Sequence, residues 1–171
     1  NIRMNKIFLI GRRRTGIQTA SMALTVLGYK KKTMLTSIKS EKIEDLIEEM
    51  KDLDVCAITR DYSMNEIRAI EAVYPSSTFF LTKRHSHIWY DSFVRYFLSK
   101  KGDNPQTDYS KKGHYVSTFY EGYNEEIKHH FTGREWKLLT MTLDGSHNWG
   151  QICSYYKKPI PSTSFPHVNR S

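Results

Sequence analysis

A chain of 171 residues has the usual size of one domain and is long enough to enclose a core. Its 39% hydrophobic and 26% charged residues are ordinary globular usage, which excludes global disorder, and its aromatic share of 13% is on the high side. A formal net charge of +8 points to anionic partners (phosphates, sulfated or acidic molecules, nucleic acid, lipid head groups) without choosing among them.

In chain order, Lys6-Ile7-Phe8-Leu9-Ile10 is a short apolar run ending at Gly11, the pattern of a central strand buried on both faces. Ile17, Ala20, Ala23, Leu24 and Leu27 then recur at helical spacing, and Gly28 supplies a stop, so a helix is expected over about residues 16–27. A second helix is expected from Ser40 as N-cap, with Ile43, Leu46, Ile47 and Met50 on one face. Val55-Cys56-Ala57-Ile58 reads as the next strand. Ser63 and Glu66 form a capping box for a helix that Pro75 ends. Thr78-Phe79-Phe80-Leu81-Thr82 reads as a third strand, followed by a helix over about residues 86–98 that turns Trp89, Phe93, Val94 and Phe97 inward. The alternation argues for a parallel sheet with helices on both faces.

Residues 99–115 break the pattern with Gly102, Asn104, Pro105 and Gly113, and a loop of that length reads as a lid. A long helix over about residues 116–131, a strand over 136–141, a helix around Trp149 to Tyr156 and an extended proline-rich tail complete the chain. The two cysteines, Cys56 and Cys153, lack metal-ligand or disulfide-framework spacing and read as reduced core residues. No apolar stretch approaches bilayer length and no signal-peptide block opens the chain, so a cytoplasmic setting is expected. The sequence opens on Asn1, so either an upstream segment has been removed or Met4 is the natural start.

The turn Gly11-Arg12-Arg13-Arg14-Thr15-Gly16 joins a buried strand to a helix, where backbone N–H groups and the helix dipole favour phosphate or sulfate. Its glycines have the spacing of a nucleotide-triphosphate loop, but Ile17 and Gln18 stand where that loop has lysine and a magnesium-binding hydroxyl. An ordinary ATPase, GTPase or kinase is therefore disfavoured. What remains is a cradle of arginine, backbone amides around Gly16, and the hydroxyls of Thr15 and Thr19. A second cationic position follows the third strand: Arg84 stands at its carboxyl end and Ser92 lies in the next helix. Carboxyl ends of parallel strands form the ligand crevice, so Arg84 should face the side on which the Arg14 loop lies, and the pair can share a second phosphate.

These residues resemble the sulfotransferase family. Residues 11–19 are similar to its 5′-phosphosulfate loop, G-x-P-R-T-G-T-x-S, and Tyr74-Pro75-Ser76-Ser77-Thr78-Phe79-Phe80-Leu81-Thr82-Lys83-Arg84 is similar to the strand preceding its 3′-phosphate pair. Trp89 and Ser92 match the W-x-x-S of a small branch. Leu138-Leu139, Trp149, Pro159-Ile160-Pro161 and Phe165-Pro166-His167-Val168-Asn169 resemble that branch's endings.

The resemblance implies an α/β, three-layer P-loop-like fold with a central, mainly parallel sheet flanked by helices, spanning 1–171 as one domain. It implies 3′-phosphoadenosine 5′-phosphosulfate as donor, bound by Arg13, Arg14, Thr15, Gly16, Ile17, Gln18, Thr19, Arg84 and Ser92, with no metal, and a small-molecule or glycan acceptor carrying a hydroxyl or amine. Sulfuryl transfer needs a cation and a base, for which Arg14 and Asp61 are the candidates; Asp61 follows the second expected strand at the crevice edge. Three departures bear on activity. Ile17 stands at a threonine position, Gln18 at one that carries a small hydroxyl residue, and Arg13 at a usual proline. A catalytically degenerate nucleotide-binding member is the alternative. Nucleic acid is not expected, because no recognised motif and no basic stripe with interleaved aromatics is present.

Overall fold

The strand sequences alternate between two cores. In the computed structural model, which describes residues 5–30, 32–35, 42–58, 60–98, 109–144 and 149–167, the strands are β1 (Ile7–Ile10), β2 (Lys32–Leu35), β3 (Val55–Ile58), β4 (Thr78–Lys83) and β5 (Leu138–Thr142). Phe8, Ile10, Cys56, Ile58, Phe79 and Leu81 pack on one face against α2 (Ile43–Glu49), α3 (Met64–Val73) and α6 (Gly122–His130). Ile7, Leu9, Val55, Ala57, Phe80, Leu139 and Met141 pack on the other against α1 (Ile17–Val26) and α7 (Trp149–Tyr156). The alternate side chains of each strand thus serve opposite layers, and β1 and β3 are buried throughout, as the unbroken apolar runs require.

The sheet order is β2-β3-β1-β4-β5 and every neighbouring pair is parallel. From β1 the chain passes to the edge strand β2, returns to β3, then crosses to β4 on the far side of β1. This divergence opens a crevice at the carboxyl ends of β1, β3 and β4, the usual ligand position in such sheets. The α/β architecture expected from the sequence is therefore observed.

Several local expectations change. β2 was not anticipated; it pairs with β3 from Lys32↔Val55 to Leu35↔Ile58. Ser40 lies outside the described residues, and the N-cap of α2 is Lys42. The Ser63 capping box is present as expected: Glu66 N donates to Ser63 Oγ at 3.1 Å, and Ser63 N donates to Glu66 Oε1 at 2.9 Å. The helix after β4, α4 (Ser86–Phe93), continues as a π-helical turn, Val94–Leu98. Of the proposed lid, residues 99–108 lie outside the described residues. The remainder is helical rather than irregular, as α5 (Tyr109–Gly113) and the start of a π-helical segment, His114–Glu121, which leads into α6. Aromatic residues explain the early start: Tyr115, Val116 and Phe119 pack on a third cluster of Trp89, Tyr90, Phe93, Val94 and Tyr120, above the carboxyl end of the sheet. Trp136 precedes β5 in a 3-10 turn and is 66% exposed, so it is not a core residue. No helix among the described residues is long and apolar enough to cross a membrane.

Candidate anion-binding site

The turn after β1 is shaped by close approach. Gly11 has φ +151°, and a Cβ there would lie 2.7 Å from both the carbonyl oxygen and Oγ1 of Thr82 on β4. Only glycine lets the turn lie against that strand. Arg14 at φ 72° and Gly16 at φ 94° are both left-handed, and they reverse the chain into α1. Helix α1 begins with no side-chain cap and no acidic residue in its first turn, which leaves its positive end open to an anion.

Thr15 is fully buried. Its hydroxyl donates to the Arg12 carbonyl at 2.6 Å and lies 2.7 Å from Thr82 Oγ1, so its proton is committed to holding the turn. Thr19 is buried as well, Gln18 is exposed, and Ile17 packs at the edge of the α1 and α7 core.

The three arginines of the turn diverge. Arg14 Nε donates to the buried Ser92 Oγ at 2.9 Å, and its guanidinium lies 3.6 Å from the centroid of the Tyr96 ring. The structure thus joins the loop to α4 by a direct bond between two residues that the sequence singled out separately. Arg12 turns the other way: its guanidinium sits 3.6 Å from the Phe119 ring and 4.1 Å from the Tyr123 ring, with Nε donating to the Phe119 carbonyl at 3.1 Å. Its Nη1 donates to Asp61 Oδ2 at 2.8 Å. Arg13 is the most exposed of the three side chains, and its backbone N–H donates to Asp61 Oδ1 at 2.9 Å. Asp61 thus lies against the loop, with both carboxylate oxygens accepting hydrogen bonds from it.

Arg84 leaves the carboxyl end of β4 with its backbone gripped by one hydroxyl. Tyr120 Oη accepts from the Arg84 N–H at 2.8 Å and donates to the Arg84 carbonyl at 2.7 Å. Burial pushes the Tyr120 phenol up to about 12, so it stays protonated for both bonds. The half-buried Arg84 guanidinium makes no hydrogen bond or ion pair with any described residue. A cation with a fixed backbone and an uncommitted head suits an anionic ligand. Next to it, Asp144 accepts from the His85 N–H at 3.0 Å and pairs with His85 Nε2 at 2.9 Å, tying the end of β4 to the segment after β5.

The sequence singles out Arg14, Ser92, Arg84 and Asp61 as candidates, but it carries no local signal for the contacts that Arg12, Tyr96 and Tyr120 make with them. The helical spacing turns Trp89 inward. It is fully buried, and its indole N–H also donates to the Arg13 carbonyl at 3.1 Å; the W-x-x-S spacing was the available clue, since it puts tryptophan and serine on one helix face.

A family model described as a sulfotransferase domain matches residues 94–171, from the π-helical turn after α4 to the end of the chain. The match leaves out the Arg14 loop, Arg84 and Ser92 and covers the helical layer that supports them, including Tyr96, Phe119, Tyr120 and Tyr123. No curated protein matches the chain.

Proposed function

We propose, from the membership in the sulfotransferase family that this match supports, that the chain binds 3′-phosphoadenosine 5′-phosphosulfate and passes its sulfuryl group to a hydroxyl or amine on a small molecule or glycan. The observation that carries the reading is the 2.9 Å bond from Arg14 Nε to Ser92 Oγ, which links the loop at an open helix N-terminus to the helix that follows Arg84. A ligand with phosphate groups on the 5′ and 3′ oxygens of one ribose suits two cationic positions on elements joined in this way. In this reading residues 1–171 work as one domain, and Arg13, Arg14, Gly16, Ile17, Gln18 and Thr19 face the 5′ group through the loop and the first turn of α1. Thr15 shapes that loop, while Arg84 and Ser92 take the 3′-phosphate.

The donor supplies an activated sulfuryl group, whose bond to the phosphate oxygen breaks as the acceptor oxygen or nitrogen bonds to sulfur, releasing 3′,5′-adenosine bisphosphate and a proton. Arg14 is the proposed cation for charge developing on the leaving oxygen. Asp61 is the proposed base. Proton acceptance at either of its oxygens competes with Arg12 or Arg13, so Asp61→Asn tests the role. Asparagine keeps an acceptor oxygen for the Arg13 N–H, so loss of a base would lower turnover about 10²–10⁴-fold with affinity retained.

Titration calorimetry with 3′,5′-adenosine bisphosphate and with ATP tests the donor assignment. Binding of the bisphosphate in preference to ATP, weakened about tenfold or more by Arg84→Ala, is the expected result; no binding, or indifference to Arg84→Ala, refutes it. The engaged Asp61 carboxylate and the apolar Ile17 favour one second reading, a member that holds the nucleotide without transferring sulfate. Turnover of radiolabelled donor excludes that reading.

A further inference from the structure

Arg13 is held through both of its backbone groups, which belong to the two successive peptide units Arg12–Arg13 and Arg13–Arg14. Its N–H donates to Asp61 Oδ1 at 2.9 Å, and its carbonyl accepts from Trp89 Nε1 at 3.1 Å. The preceding carbonyl, of Arg12, is tied to the Thr15 hydroxyl at 2.6 Å. Two successive loop carbonyls are thus bound by protein donors. This matters because a peptide turns about two soft dihedrals: rotation of an untethered peptide exchanges an N–H for a C=O, and a carbonyl oxygen aimed at a phosphate repels it.

Both tethers are themselves rigid. Trp89 is fully buried and stacked between Tyr120, at 4.3 Å between ring centroids, and Phe93, at 4.9 Å. It sits on α4, so one helix supplies Ser92 to Arg14 and the indole N–H to Arg13. Asp61 is held by Arg12, whose guanidinium is packed against Phe119 and Tyr123. We infer that Trp89 and Asp61 are positioning residues that lock the two peptide units flanking the Arg13 Cα, Asp61 the Arg12–Arg13 unit and Trp89 the Arg13–Arg14 unit, keeping loop carbonyls out of the anion cradle and Arg14 in its left-handed conformation. The inference rests on the proposed reading of the loop as the 5′-group site.

The test uses two variants, so that misfolding of one does not decide it. Trp89→Phe keeps a stacking ring and removes the N–H, while Asp61→Ala removes the acceptor outside the aromatic cluster. Hydrogen exchange followed over residues 11–17 is expected to quicken at least fivefold in each, with protection of β4 and α3 unchanged. Affinity for 3′,5′-adenosine bisphosphate is expected to fall about tenfold, with that for adenosine 3′-monophosphate, which lacks the 5′ group, held within twofold. Unchanged exchange in the loop of both variants, or equal losses for the two nucleotides, overturns the clamp. If the unsubstituted protein binds neither nucleotide, the donor reading fails and the exchange result alone decides: faster loop exchange upholds the clamp and unchanged exchange rejects it.

Discussion

Gly11 and Gly16 bracket the loop, and substitution separates their contributions. An alanine Cβ at Gly11 would lie 2.7 Å from the Thr82 carbonyl, part of a central strand that cannot withdraw, at φ +151°. Gly11→Ala is expected to destabilise the protein by about 2–3 kcal/mol through strain and overlap, read from the urea midpoint. At Gly16 the nearest atom is Leu143 Cδ1 at 2.8 Å, the end of a flexible side chain, so Gly16→Ala should cost only about 1 kcal/mol of backbone strain. Equal losses at the two positions would contradict the close approach of the loop to β4. The need for both glycines was legible in the sequence, because a strand, a tight turn and a helix in succession leave few alternatives. Arg14 and Ser92 were legible for the same reason, each marked by a local motif. Arg12 was not: it reaches Phe119 across 107 residues of sequence, and an arginine packed on aromatic rings reads locally like an arginine in solvent.

Among the elements, α2 shows how one side chain fixes a helix to the sheet. Lys6 at the entrance to β1 is 3% exposed, and its Nζ donates to the carbonyls of Met50 at 2.9 Å, Lys51 at 2.6 Å and Leu53 at 2.8 Å. These carbonyls belong to the C-cap of α2 and the turn that follows it, where the helix dipole also favours a cation. Lys6→Met preserves the length of the stem and removes all three bonds. It should cost about 2–3 kcal/mol in urea unfolding and raise amide exchange selectively over residues 43–53; a loss below about 0.5 kcal/mol would show that water satisfies those carbonyls equally well. From the sequence, Lys6 reads as the polar start of a strand, since its acceptors lie 44 to 47 residues away. The neighbouring omission, β2, has a related origin. An edge strand of four residues opening on lysine offers little apolar signal, and its partner is fixed by the crossover rather than by its own pattern.

At the scale of the molecule, a charge cluster at the opposite end of the sheet from the anion loop joins three elements and gives the fold a pH dependence. Glu71 on α3 accepts from His130 Nε2 at 2.6 Å, from Arg134 Nη1 at 2.6 Å and from Lys137 Nζ at 3.0 Å, linking α3 to the end of α6 and the entrance to β5. Burial opposes its ionisation, but hydrogen bonds from Arg134, His130 and Lys137 outweigh that cost and hold the carboxyl at about 2, below its ordinary 4.5. A carboxyl whose value is depressed by folding contributes stability that is fully present above about 4.5 and is lost as pH falls towards 2. The contribution is on the order of 2 kcal/mol, after allowance for the partly exposed Arg134. Glu71→Gln should therefore lower Tm near neutrality by several degrees, and the gap to the unsubstituted protein should narrow from pH 4.5 downwards as Glu71 itself becomes neutral. Glu66, lowered by Arg60 and Ser63 against its own burial, titrates in the same direction but is common to both proteins, so the difference between their Tm curves isolates Glu71. A gap that stays constant from pH 7 to pH 2 would mean that Glu71 acts through packing rather than charge.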